Sequence, residues 1–283
     1  MAGFLVLLLI AASSPAAPPP LDRARELFNR TRYEEALKLL LPVAPKDGEA
    51  WWLLGRCHYM RGDFKKASEA FEKAVASELA NSVYHNWLGK AYGRRAETAN
   101  PFSAPGLASK ARRSFEKAVQ LNPRNIEAVN DLFEYYLHAP GFLGGGLDKA
   151  VLLAEKIRAA DPAEYHYAMA QLAEKRKEFK TAEEQLRRAV CLAPQQAGRI
   201  IDLARFLAKQ GRLAESEAAF DEAAAIAPDN PRVLFERANA YLRNKKNLDT
   251  ARALLKRYLE SELTPDDPPR SEAERLLREA SGG

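Results

Sequence analysis

Histidine and cysteine are the residues most often used as metal ligands or nucleophiles, and this 283-residue chain has few of them. It contains four histidines and two cysteines, and none of them stands at a metal-ligand spacing from another. Cys57 and His58 are adjacent, so on a helix their side chains point apart. Neither a G-x-S-x-G nor an H-E-x-x-H motif occurs. The sequence therefore predicts a non-enzymatic protein with no catalytic residue, no metal site and no cofactor.

The glycine run Gly144-Gly145-Gly146 raises the possibility of a phosphate-binding loop. A P-loop requires Lys and Ser or Thr directly after its last glycine, but Leu147 and Asp148 follow here. The Asp148 carboxylate would repel a phosphate. The run instead predicts a tight turn that needs positive φ.

The charge and composition exclude other classes of protein. Lys and Arg number 43 against 38 Asp and Glu, a net charge of +5 spread along the chain. Nucleic-acid-binding proteins usually concentrate their basic residues in a stripe, so we expect no nucleic-acid partner. Ala, Leu, Glu, Lys and Arg recur throughout while Val, Ile and Thr do not cluster, which predicts an all-α protein.

The first twenty residues differ from the rest. Met1 to Pro20 contain no charged side chain, and Phe4 to Ala12 form a continuous apolar run. That run is shorter than the roughly 20 residues of a membrane span and suits a secretory signal cleaved after Ser13 or Ala16. We therefore expect export to the periplasm or secretion, with no integral membrane span after signal removal; without a signal, the protein would be cytoplasmic.

A repeat runs through the chain. Small residues recur at intervals of 31 to 44 residues, and a large apolar side chain follows most of them four residues later. A proline ends four of the units. This spacing predicts pairs of amphipathic helices that must stack on their neighbours to bury their apolar faces. The recurring small residues are Ala36, Ala67, Ala111, Ala150, Ala182, Ser216 and Ala251.

The clearest copy lies between Trp51 and Ala74. It contains Trp-Trp-Leu-Leu-Gly from Trp51, Gly-Asp-Phe from Gly62, and then Ala67, Phe71 and Ala74. This pattern resembles the tetratricopeptide repeat (TPR), and the chain is similar to bacterial exported TPR proteins. The resemblance implies an all-α, right-handed superhelical solenoid of about seven helix pairs plus a C-terminal capping helix.

The implied organisation has three parts. Residues 1–20 form a signal peptide or N-terminal apolar segment, residues 21–265 the solenoid, and residues 266–283 a linker and capping helix. Ser271, followed three residues later by Glu274, predicts a capping box at the start of that last helix. Cys57 and Cys191 lie three repeats apart, too far for a disulfide, and both are predicted to be core residues.

In TPR proteins, the first helices of successive repeats line a concave groove. If this chain is similar, its groove mixes aromatic, amide and basic side chains, as suits an extended peptide or a helix. The alternative is an ordinary solvated face. The family's carboxylate clamp is not predicted, because Trp52 and Arg56 occupy two of its positions. The groove residues are Trp52, Arg56, Tyr59, Asn86, Lys90, Asn130, Glu134, Tyr167, Gln171, Ile201, Arg205, Phe235 and Asn239.

Two repeats are longer than the others. Their extra residues predict inserted loops near 94–110 and 138–147, on the same edge of the solenoid and in contact with each other. Phe102, Phe142 and Leu143 in these loops would be buried either against the solenoid or against a partner. The loop edge is thus a second candidate surface for partner binding.

The sequence favours a non-catalytic scaffold that binds a protein or peptide through the groove or the loop edge. Two alternatives stay open: a self-assembling structural protein, which would be a homo-oligomer, and an accessory subunit of an envelope complex. The sequence does not identify the partner.

Overall fold

The computed structural model describes residues 19–281, so nearly all of the predicted signal segment lies outside the described residues. Fifteen α-helices and no strand are present in this range. The all-α prediction is confirmed. The helices are α1 (Pro20–Asn29), α2 (Tyr33–Leu40), α3 (Gly48–Met60), α4 (Phe64–Ser77), α5 (Ser82–Thr98), α6 (Ala104–Leu121), α7 (Ile126–His138), α8 (Leu147–Ile157), α9 (Pro162–Lys175), α10 (Phe179–Leu192), α11 (Ala197–Lys209), α12 (Leu213–Ile226), α13 (Pro231–Arg243), α14 (Leu248–Glu260) and α15 (Arg270–Ser281).

Helices α1 to α14 form seven consecutive pairs, as the repeat predicts. Each odd-numbered helix packs on the even-numbered helix that follows it, and neighbouring pairs contact each other through both helices. A single pair cannot bury its apolar face, so the stacking of neighbours supplies the core. The predicted solenoid of helix pairs is therefore confirmed.

The hydrophobic core runs from one pair into the next without a gap. Helix α9 shows how: Ala168 and Leu172 belong to the cluster shared with the preceding pairs, whereas Ala170 and Ala173 belong to the cluster shared with the following pairs. The two faces of one helix thus join two buried clusters. This continuity makes the first helices a rigid support for whatever side chains they present.

Two glycines allow the paired helices to approach closely. A Cβ atom at Gly55 in α3 would lie 2.6 Å from Cε1 of Phe71 in α4, and one at Gly89 in α5 would lie 2.6 Å from Cδ1 of Phe115 in α6. Real Cβ contacts do not come that close. Glycine here is a packing requirement between helices, not a turn signal.

The first inserted segment is mostly helical. Helix α5 continues to Thr98 and α6 begins at Ala104, so only residues 99–103 form a loop. The extra residues lengthen both helices of this pair instead of forming a long loop.

The second inserted segment spans residues 139–146 and contains a short 3-10 turn, Gly141–Leu143. Gly144 has φ 89°, as the glycine run predicts. Gly145 is required for a different reason: a Cβ atom there would lie 1.9 Å from the carbonyl oxygen of Ala139. Arg112 of α6, which lies just after the first inserted segment, is beside Gly144 of the second.

The last helix covers the end of the solenoid. Ala273 and Leu276 of α15 belong to the same buried cluster as Leu255 and Tyr258 of α14. Helix α15 begins at Arg270, so Ser271 lies within the first turn and not at the predicted capping position.

The two cysteines are unpaired in the structure. Cys57 is buried, as predicted, but Cys191 is exposed, so the prediction that both are core residues is wrong for Cys191. It lies near the end of α10 beside the exposed Leu192.

Candidate functional site

The first helices line two cavities, one toward each end of the solenoid. The first, here called the N-terminal cavity, has a volume of about 990 Å³ and is lined by α3, α5 and the C-terminal segment 265–272. The second, the C-terminal cavity, has a volume of about 370 Å³ and is lined mainly by α9, α11 and α13. The surface predicted from the repeat register is therefore divided into two concave sites.

Arg56 is the central side chain of the N-terminal cavity. Its guanidinium carbon lies 4.3 Å from the ring centroid of Phe28, 4.8 Å from that of Trp52 and 4.7 Å from that of Trp87. Each such contact stabilises the cation by about 0.5–2 kcal/mol. Burial nevertheless lowers the pKa of Arg56.

Two polar atoms in this cluster have no hydrogen-bond partner. Within the described part of the chain, Arg56 Nε and Trp52 Nε1 are both buried, and neither donates a hydrogen bond to a protein acceptor. A buried donor without a partner costs about 1–3 kcal/mol. The site therefore contains unsatisfied donors that an acceptor oxygen from a ligand would stabilise.

The rest of this cavity is aromatic and charged. The Tyr59 ring packs edge-on against Trp87, with centroids 5.5 Å apart, and against Phe64 at 5.2 Å. Lys90 Nζ lies 4.8 Å from the Trp87 centroid. Arg56, Tyr59 and Lys90, all predicted from the repeat register, thus surround the Trp87 ring, and the predicted Trp52 lies against Arg56.

Lys90 also belongs to an ionic network that joins α5 to α7. Its Nζ lies 2.6 Å from Glu127 Oε1 and 3.2 Å from Asp131 Oδ2. Asn86 is buried and donates from Nδ2 to Asp131 Oδ2 over 2.7 Å. Burial works to lower the pKa of Lys90, but the two carboxylates outweigh it and raise that pKa. Asn86 and Lys90 therefore hold two helices together, and Lys90 alone also lines the cavity.

In the middle of the row of first helices, a carboxylate joins α7, α9 and α11. Asn130 donates from Nδ2 to Glu164 Oε1 over 2.9 Å, and Arg199 forms an ion pair with the same carboxylate. Arg199 also lies over the Tyr167 ring at 5.4 Å from its centroid. This network separates the two cavities.

The C-terminal cavity is strongly polar. Arg205 Nε lies 3.3 Å from Glu236 Oε2, and Arg205 Nη1 lies 3.6 Å from Asp202 Oδ1. Burial raises the pKa of Asp202 to about 6, against the lowering effect of Arg205. Tyr167, Gln171, Arg205 and Asn239, all predicted, line this cavity.

Five predicted groove residues line neither cavity: Asn86, Asn130, Glu134, Ile201 and Phe235. Phe235 is buried and packs on Tyr258 with ring centroids 5.2 Å apart, and Ile201 is fully buried in the core. Glu134 instead pairs with His138 on its own helix, 3.1 Å away. Their register is as expected, but the twist of each helix turns these positions inward or sideways.

Register alone did not identify several lining residues. Trp87 is adjacent to the predicted Asn86 and lines the N-terminal cavity in its place. Pro265, Asp266 and Glu272 of the C-terminal segment also line this cavity and lie outside the first helices from which the groove was predicted. They reach the cavity because the solenoid brings its last residues beside its second and third pairs.

The loop-edge residues are placed differently from one another. Phe102 is 96% exposed and Phe142 is 83% exposed, so the solenoid does not bury them. Leu143 is half-buried, and its carbonyl oxygen accepts a hydrogen bond of 2.9 Å from the Tyr135 hydroxyl. The expectation of burial against the solenoid is therefore wrong for the two phenylalanines.

Within residues 19–281, no cluster of three or more His, Cys, Asp or Glu side chains could hold a metal ion. No helix in the same range is long and apolar enough to cross a bilayer.

Comparison with known proteins identifies the repeat. Two family models, both described as tetratricopeptide repeat, match the chain, one at residues 21–83 and the other at residues 173–233 and 209–277. No curated protein matches the sequence.

Solved structures are similar in fold. A thermophilic TPR protein from Thermus thermophilus is 25% identical, with a TM-score of 0.55, over 66% of this chain and 97% of that one. A tetratricopeptide-repeat protein from Parabacteroides merdae is 14% identical, with a TM-score of 0.59, over 93% of this chain and 97% of that one.

Proposed function

The chain belongs to the tetratricopeptide-repeat family, and on that premise we propose that it is a non-catalytic interaction module that binds a protein or peptide partner. The family typically supplies such modules. The binding surface is the row of first helices, and the N-terminal cavity is its principal site. No cofactor takes part.

One observation carries the proposal. Arg56 is held among three aromatic rings, and its Nε, like Trp52 Nε1, is buried without a hydrogen-bond partner in the described chain. Aromatic and arginine side chains in a desolvated pocket are typical of binding hot spots. A peptide carbonyl or carboxylate oxygen in this cavity would accept from the unsatisfied donors while an apolar side chain packs against Trp87.

The C-terminal segment limits how a ligand enters. Pro265, Asp266, Pro269 and Glu272 form the cavity wall opposite α3 and α5. We expect an extended peptide to bind between this wall and the first helices, because an extended chain can enter the cavity through a single open side. A bound helix, about 10–12 Å wide with its side chains, would have to displace the wall.

The experiment uses the chain's own tryptophans. Trp51, Trp52 and Trp87 all lie in α3 and α5, so intrinsic fluorescence reports on the N-terminal cavity. Peptides selected from a random displayed library on the wild-type protein are titrated against it. Arg56→Met keeps the apolar stem but removes the charge and donors, and we expect at least tenfold weaker binding.

Arg113→Met is the matched control, because Arg113 is exposed on α6 and outside both cavities. Circular dichroism checks that both variants are folded. Failure to enrich any peptide, or equal affinity of wild type and Arg56→Met, would exclude the N-terminal cavity as the site. Light scattering on the same samples tests the self-assembly alternative, which requires a mass above 31.5 kDa.

Export is part of the proposal. The uncharged, apolar segment from Phe4 to Ala12 has the character of a secretory signal. N-terminal sequencing of the protein from a bacterial periplasmic fraction should start after Ser13 or Ala16. An intact Met1 in the cytoplasmic fraction alone would contradict export.

A further inference from the structure

The seven turns inside the helix pairs lie along one edge of the solenoid. Each pair is antiparallel and the pairs stack in register, so the turns that join a first helix to its second helix all fall on the same side. The turns that join one pair to the next fall on the opposite side. We call the first the turn edge and the second the connector edge.

Three consecutive turns on the turn edge expose a phenylalanine. Phe102 is 96% exposed, Phe142 is 83% exposed, and Phe179 is 42% exposed at the start of α10. They belong to the third, fourth and fifth helix pairs. Each of them leaves apolar aromatic surface in water, and its hydration is unfavourable.

The turn edge is also basic. The seven turns between paired helices contain eight basic and two acidic residues, whereas the six turns between pairs contain three basic and four acidic residues. Arg176, Lys177, Lys245 and Lys246 are exposed and form no ion pair within the described chain. The protein's excess positive charge is therefore concentrated on this edge, in the turns of the first, fifth, sixth and seventh helix pairs, whereas the two turns that carry Phe102 and Phe142 contain no basic residue.

We propose that the turn edge docks peripherally on an anionic lipid bilayer surface. Aromatic side chains are favoured at the membrane–water interface, and basic residues are attracted to anionic headgroups. No segment crosses the bilayer in this arrangement. The three exposed phenylalanines line neither cavity, so a peptide bound there and a membrane at the turn edge are compatible.

A lipid surface fits this edge better than a protein partner does. Protein hot spots lie in packed pockets surrounded by a rim that excludes water. Phe102 and Phe142 instead stand in separate turns, each beside Pro or Gly, with no enclosing apolar surface. A fluid bilayer accepts such isolated side chains one by one, because it needs no complementary shape.

The test is cosedimentation of the full chain with vesicles. Vesicles of phosphatidylcholine alone are compared with vesicles containing phosphatidylglycerol. We expect binding only to the anionic vesicles, and roughly tenfold weaker binding for each phenylalanine removed in Phe102→Ser and Phe142→Ser. Both side chains are exposed, so the fold should be unchanged, which circular dichroism checks.

The matched control is Leu41→Ser with Leu79→Ser. Both leucines lie on the connector edge and are 60% and 70% exposed, so their removal should leave vesicle binding unchanged. A second set, Lys177→Gln, Lys245→Gln and Lys246→Gln, should weaken binding roughly fivefold per residue, and added salt should weaken it in the same way.

Three results would overturn the proposal. The first is no binding of the wild-type chain to anionic vesicles. The second is equal binding to neutral vesicles. The third is binding that survives in the Phe102→Ser/Phe142→Ser variant, as it would if the apolar run Phe4 to Ala12 were the membrane contact or if the phenylalanines served a protein partner.

Discussion

At the scale of single residues, the N-terminal cavity depends on how Arg56 is held. Salt bridges usually fix a buried arginine, but three aromatic rings surround this one, and its Nε has no partner in the described chain. Lys90, one repeat further on, is instead neutralised by Glu127 and Asp131. Arg56 therefore keeps its charge available to a ligand, whereas Lys90 does not.

Asp202 in the C-terminal cavity leads to a prediction about pH. Burial raises its pKa to about 6, above the 3.8 that is usual for an aspartate. The folded state then binds a proton that the unfolded state has already lost, so the contribution of Asp202 to stability is most favourable below about pH 4 and becomes less favourable as pH rises toward 6. Asp202→Asn removes this loss, and we expect it to be more stable than wild type at pH 7 by about 1–3 kcal/mol.

Urea unfolding of Asp202→Asn and wild type at pH 4 and pH 7 checks this. The difference should shrink toward pH 4, where Asp202 is protonated in the fold. Asp229→Asn, at an exposed position, is the control and should change little at either pH. A variant less stable than wild type at pH 7 would mean that Arg205 and its neighbours outweigh burial.

At the scale of helices, how closely two paired helices approach depends on the absence of a Cβ atom at their contact. Helix α5 contains two glycines one turn apart: a Cβ atom at Gly89 would collide with Phe115, whereas one at Gly93 meets nothing within 4 Å. We expect Gly89→Ala to lower the free energy of unfolding by about 1–3 kcal/mol through overpacking. Gly93→Ala should raise it by about 0.5–1 kcal/mol, because alanine is the better helix former.

Thermal unfolding of the two variants provides the measurement, and each variant serves as the other's control. Opposite signs from the same substitution in one helix would show that contact with α6, and not helix propensity, decides the need for glycine at position 89. Stabilisation by both substitutions would show that Phe115 moves aside without cost.

At the scale of the whole molecule, the solenoid is nearly one-dimensional except at its ends. Each pair contacts mainly its neighbours, so disturbance of one end should remain local. Leu276→Asp places a charge in the cluster that α15 shares with α13 and α14. We expect faster amide hydrogen exchange in α13 to α15 and no change in α8 to α10, which do not contact the C-terminal segment that lines the N-terminal cavity.

Arg278→Asp adds the same residue to the exposed face of α15 and should leave exchange in α13 and α14 unchanged. A uniform increase from α1 to α15 in Leu276→Asp would show that the chain unfolds as a single cooperative unit. The local model would then be wrong.

Much of this molecule was predictable from the sequence. The recurrence of small, large apolar and proline residues determined the seven helix pairs, because helix packing imposes those sizes at those spacings. The aromatic and arginine pattern around Trp52 and Arg56 was also visible, since register places such residues on the first helix. Both features follow from the types and spacing of residues within each helix.

Only the tertiary structure decided which of the register positions line a cavity. Phe235 and Ile201 share the register of Trp52 and Tyr167 but are buried, because the neighbouring helices cover them. The repeat pattern did not place Pro265 to Glu272 in the cavity wall, since their position depends on where the stacked pairs leave the last residues of the chain. The packing of helices over all seven pairs determines which side chains line a cavity and where the last residues lie.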